Sequence, residues 1–137
     1  VKALIAVGAL TAAPAQAFCP QLTALFDGAT TLTLPAPSDA QANCTTSLGL
    51  SGVTSTHCAF AFDYRSPEAT EAFQAVIQAV PTCLDTAGEM ESDQDVNHPD
   101  FYDLRIFQAA KGEVGVSLKD KGGLQETYVF VRVSPNT

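Results

Sequence analysis

Basic residues are scarce in this chain: 7 Lys and Arg stand against 15 Asp and Glu, a formal charge of −8 at pH 7. Such a surface repels phosphate backbones and anionic lipid, which excludes nucleic acid as the main partner. No apolar run is long enough to span a bilayer, which takes roughly 18 residues or more. C-x-x-C is missing, so neither a zinc ribbon nor a thioredoxin-type redox motif is on offer. The spacings G-x-S-x-G and H-E-x-x-H and a phosphate-binding glycine loop are also absent, and the two histidines, His57 and His98, have no catalytic motif around them. No internal repeat or composition shift marks a second domain.

What is present begins with a leader pattern. Lys2 precedes an apolar run from Ala3 to Ala13, and Ala15-Gln16-Ala17 follows. A basic residue, a short apolar run and an A-x-A site predict a secretory signal peptide over residues 1–17. Residues 18–137 then form a single exported domain, periplasmic or extracellular, with no membrane span after cleavage. All four cysteines, Cys19, Cys44, Cys58 and Cys83, fall in that part. An even count behind an export signal predicts two disulfides.

In chain order, Leu22, Leu25 and Phe26 recur with Cys19 at helical spacing and predict a short helix ending near Gly28. Thr30 to Leu34 alternates Thr and Leu before Pro35 and Pro37, as an edge strand or extended arm does. Segments 44–50 and 56–64 flank Ser51-Gly52 and read as a hairpin. Cys44 and Cys58 are then equidistant from the tip and face each other. That pairing leaves Cys19 and Cys83 for the second bond. Ser66-Pro67-Glu68 opens the clearest helix, with Phe73, Val76, Ile77 and Val80 as its apolar stripe and a kink or stop at Pro81.

The stretch from Phe101 to Val133 reads as a three-stranded meander, broken around Lys111-Gly112 and Lys119 to Gly123. Val114, Val116 and Leu118 share one face of the second strand, and Val129, Val131 and Val133 one face of the third. In the register assumed for the meander, Tyr102, Leu104 and Ile106 are expected to join those valines in the core. Phe101, Asp103, Arg105 and Phe107 then accompany Tyr128, Phe130 and Arg132 on the opposite face. Arg105, Phe107, Tyr128, Phe130 and Arg132 are accordingly the candidate binding residues, since aromatic and Arg side chains are enriched at interfaces and Arg offers a fork to a carboxylate.

Between Thr86 and Asp100 almost nothing is apolar, which predicts a long acidic loop. Asp93, Asp95, Asn97 and Asp100, with Glu89 and Glu91 nearby, present oxygen ligands of the kind calcium takes. The EF-hand spacing fails, because His98 stands where that loop needs Gly and Leu104 where it needs Glu. The whole reads as an α+β domain: a hairpin plus a C-terminal three-stranded meander in an antiparallel sheet, packed by two helices and stabilised by disulfides. The functional reading is an exported binding domain for a protein or a small organic anion. The alternatives are a small exported hydrolase and calcium binding through the acidic loop 89–100.

Overall fold

The computed structural model describes residues 18–50, 52–85, 89–96 and 101–136. The expected leader, His98, and the expected calcium ligands Asn97 and Asp100 lie outside these residues. Helix α1 spans Phe18–Leu25, and strands β1 (Thr31–Thr33) and β2 (Gln41–Asn43) follow it. Strands β3 (Thr45–Leu48) and β4 (Thr54–Asp63) lead into helix α2 (Pro67–Leu84). Strands β5 (Glu89–Val96), β6 (Phe101–Ala109), β7 (Gly112–Lys121) and β8 (Glu126–Pro135) complete the chain, with a turn of 3-10 helix at Gly122–Leu124.

The fold is α+β. Strands β1 and β2 form a two-stranded ribbon, and the other six form an antiparallel sheet of order β3-β4-β8-β7-β6-β5. Strand β8 lies inside the sheet because it carries side chains fit for burial on both faces. The two predicted disulfides are present, Cys44–Cys58 across the hairpin and Cys19–Cys83 between the start of α1 and the end of α2.

Local signals account for α2. The Ser66 hydroxyl accepts the Ala69 N–H at 3.3 Å, Pro67 occupies the first turn, and Glu68 faces the positive end of the helix dipole. The helix runs one turn beyond the expected stop at Pro81, to Leu84. Proline forfeits one backbone bond there. Burial of Val80 and the Cys83–Cys19 bond hold the final turn, and the Asp85 N–H closes it on the Pro81 carbonyl. Ala69, Ala72, Phe73, Val76 and Val80 of α2 are buried in one core with Cys58 and Phe60 of β4, Val114 and Val116 of β7, and Val129 and Val131 of β8. Helix α1 adds Phe18, Leu22 and Leu25 to the same core.

Two expectations are corrected. First, 89–96 is a strand, not a loop: β5 pairs with β6, opposing Asp93 to Leu104 and Asp95 to Tyr102. An edge strand needs one paired side only, and charge on an edge guards it against adding another strand, so it forms without apolar residues. Second, the faces of β6 are exchanged. Ala110 and Lys111 make a tight turn that sets Ala109 opposite Gly112, so Phe107 opposes Val114, Arg105 opposes Val116 and Asp103 opposes Leu118. A shift of one residue flips every side chain. Phe107 and Asp103 are therefore buried on the helix-covered face, 2% and 5% exposed, while Tyr102, Leu104 and Ile106 share the outer face with Phe130 and Arg132. Gly112 makes the turn possible, for a Cβ there would collide with the Ser134 carbonyl oxygen.

Candidate functional site: the outer face of the sheet and the helix-side cleft

Helix α2 packs on one face of the six-stranded sheet, against β4, β6, β7 and β8, and α1 packs against α2 and β1. On the other face β4 presents His57, Ala59 and Ala61, which are exposed, and β8 presents Arg132, Phe130 and Tyr128 directly opposite them. Strand β7 contributes Gly115 and Ser117, buried beneath the longer side chains around them, and β6 contributes Leu104 and Tyr102. Small residues in the middle of large ones leave a groove of about 310 Å³, with Gly115 and Ser117 on its floor, Tyr102, Leu104 and Phe130 along its sides, and Arg132 and His57 at its rim. Tyr128 and Phe130 stack beside it with centroids 5.4 Å apart.

Arg132 is held in place by Glu113, which accepts from Nη2 at 2.9 Å. Its guanidinium passes over Gly115, where an added methyl would meet Nη2 at 3.6 Å and Nε at 3.7 Å. The side chain is 42% exposed, and among the described residues Glu113 is its one hydrogen-bond partner. A guanidinium has five N–H groups, so most remain for a second carboxylate. Lys119 stands over the Tyr102 ring at 5.6 Å and adds a second cation to this face.

His57 meets Ser47 across the β3–β4 hairpin, with Nε2 and Oγ 2.9 Å apart. A hydroxyl and an imidazole at this distance can act as nucleophile and base. Among the described residues no acid is bonded to the other ring nitrogen. The Tyr128 hydroxyl donates to Glu126 at 2.6 Å, and this bond, with burial and the carboxylate charge behind it, raises the phenol above its ordinary pKa.

A second cleft of about 310 Å³ opens on the helix side, between the start of α2 and the sheet. Asp103 and Asp120 line it with Arg65, Thr127, Phe73 and Phe101. Each of its acids has a cation: Arg105 donates from Nε to Asp103 at 2.8 Å and from Nη2 at 3.2 Å, and Arg65 donates from Nε to Asp120 at 3.0 Å. Arg105 also lies over the Phe73 ring, 5.9 Å from its centre. The Arg65–Asp120 pair ties the turn before α2 to β7, and the Arg105–Asp103 pair lies within β6 and meets α2 through the Phe73 ring.

The five expected binding residues thus divide. Tyr128, Phe130 and Arg132 share the outer face, whereas Arg105 and Phe107 stand on the helix face, where Phe107 is core and Arg105 an ion-pair partner. Asp93 and Asp95 belong to β5, and the other two expected calcium ligands, Asn97 and Asp100, lie outside the described residues. Among the described residues no group of three or more His, Cys, Asp or Glu is arranged to hold a metal. Gly115, Ser117, Leu104, Tyr102 and His57 were missing from the expected site. One signal for them is in the sequence, since Gly115 and Ser117 are the small residues alternating with Val114, Val116 and Leu118.

Comparison with protein families, with curated proteins and with solved structures finds no match to this chain. Among the described residues no helix is long and apolar enough to cross a membrane. The two disulfides suit an oxidising compartment.

Proposed function

We propose that the protein is a small exported binding domain and that its ligand is a small organic anion with an apolar body, taken in the outer-face groove over Gly115 and Ser117. One observation carries the reading: Arg132 lies over Gly115 at the rim of a groove that Leu104 and Phe130 also line, anchored by Glu113 through Nη2 alone. Anchoring fixes the fork before a ligand arrives, which lowers the ordering cost of binding. Leu104, Phe130 and Tyr102 supply apolar contact for the ligand body, as small-molecule sites require.

Nuclear magnetic resonance titration with benzoate and phenylacetate tests this. Amide shifts are expected at Gly115, Ser117 and Phe130, with benzyl alcohol binding at least tenfold more weakly for want of the carboxylate. Arg132→Gln is expected to lose the anion by a similar factor while keeping the circular-dichroism spectrum. Equal binding of benzoate by that variant removes the proposal.

A second reading, a small exported hydrolase, is supported by the Ser47–His57 contact at 2.9 Å. Its test is covalent labelling of Ser47 by a fluorophosphonate. Labelling that depends on His57 supports the activated hydroxyl, and an unlabelled Ser47 removes it.

A further inference from the structure

The two edges of the six-stranded sheet differ in charge. One edge is β5, whose sequence carries Glu89, Glu91, Asp93 and Asp95; the other is β3, and the chain from Ala40 to Phe62 contains no Asp, Glu, Lys or Arg at all. Natural edge strands are commonly guarded by charge, proline or a bulge. Strand β3 has none of these, and its four residues are all exposed.

The hydrogen-bond phase of the hairpin gives the direction of the open backbone groups. Gly49 donates to the Val53 carbonyl at 2.8 Å, so Gly49 and Val53 are a hydrogen-bonded pair. Bonded and non-bonded pairs alternate along an antiparallel ladder. Ser47 with Ser55 and Thr45 with His57 are then bonded pairs, and Thr46 and Leu48 turn their N–H and C=O groups away from β4. Cys44 agrees with this phase, since its N–H points off the hairpin to the Thr30 carbonyl at 2.7 Å. No strand among the described residues pairs with β3 on that side. Leu48, 73% exposed, and Leu50 stand at the same end, and with Leu124 they are the exposed large apolar side chains among the described residues.

We propose that β3 is a self-association edge, pairing antiparallel with β3 of a second copy about a two-fold axis at Ser47. In that register Thr46 of each copy lies opposite Leu48 of the other, and the backbone groups that face outward all find partners. Charge favours a second copy over a foreign chain. At −8, two copies repel wherever acids face each other, and this uncharged edge is where they approach with least repulsion. A basic partner, by contrast, is drawn to the β5 side. Five strand spacings separate β5 from β3, about 24 Å, well beyond the screening length of about 8 Å at physiological salt. The paired strand is short, so the dimer is a weak one that forms as concentration rises.

Sedimentation of the disulfide-intact protein from micromolar to millimolar concentration tests the pairing. The expected result is a reversible shift to twice the monomer mass, strengthened by added salt. Leu48→Glu, which puts an acid on the edge, and Thr46→Pro, which removes an outward N–H without touching a bond to β4, should each weaken association at least tenfold. Hydrogen exchange should show the Thr46 and Leu48 amides slowing with concentration, while those of Thr45 and Ser47 stay slow throughout. A monomer at millimolar concentration overturns the proposal. So does association that both variants leave unchanged, or concentration-dependent protection confined to other strands.

Discussion

Thr127 donates its hydroxyl to Asp120 at 2.8 Å, and the two are direct partners in the β7–β8 ladder. The same oxygen accepts the backbone N–H of Arg65 at 2.7 Å, while the Arg65 side chain reaches Asp120 at 3.0 Å. Arg65 has φ of 54°, in the left-handed region that non-glycine residues rarely occupy. One buried hydroxyl therefore fixes the turn that carries the chain from β4 into α2.

Replacing Thr127 with Val keeps the shape and deletes the hydroxyl, leaving a backbone donor and a buried carboxylate short of a partner. The expected loss is about 1–3 kcal/mol of unfolding free energy in urea. Thr127→Ser keeps the hydroxyl and gives up a methyl group, for about 1 kcal/mol. Equal losses for the two variants would show that the hydroxyl bonds contribute nothing.

The disulfides should differ in weight. Cys19–Cys83 closes a sequence separation of 64 and Cys44–Cys58 one of 14. By chain entropy the first contributes about 4 kcal/mol and the second about 3 kcal/mol, because the longer closure removes more freedom from the unfolded chain. Replacing each pair by Ala and comparing unfolding free energies tests the order. A larger loss from the hairpin pair contradicts it.

Much of this architecture is legible in the residues themselves. The hairpin with its Cys44–Cys58 bond, the Ser66 cap and the α2 stripe rest on local signals, a turn dipeptide, a cap and a period that the burial pattern repeats, and Cys19–Cys83 follows as the pair left over. Strand β5 is illegible for a physical reason. Its acids satisfy an edge position, where one paired side and solvent suffice, and such a strand has no apolar alternation to display. The faces of β6 are ambiguous because large apolar residues occupy both of its alternate sets. Hydropathy alone favours Leu104 and Ile106 for the core. The turn at Ala110 and Lys111 decides for Phe107, and its register also carries Arg105 away from Arg132. The candidate site was thus half legible: the β8 side chains follow from period two, but the β6 side depends on a register that two turn residues set.

Tyr128 supplies the pH dependence. Its hydroxyl donates to Glu126 at 2.6 Å on the outer face of β8, and losing the proton would place a phenolate beside a carboxylate. The folded pKa is therefore raised above the ordinary 10.0, first by the hydrogen bond to Glu126, then by burial and by that residue's charge. A tyrosine whose folded pKa is raised contributes stability that is fully present below its unfolded value and is lost as pH climbs through the folded one. Across neutral pH the groove thus keeps a neutral ring next to Phe130, and the loss begins only in alkali. Carbon-13 labelling at the tyrosine ζ position resolves the titration of each of the 3 tyrosines. Tyr128 is expected to titrate above the ordinary value, and Glu126→Gln to bring it down, because the amide still accepts the bond but carries no charge. An unchanged midpoint in that variant would show that the charge of Glu126 contributes nothing to the shift.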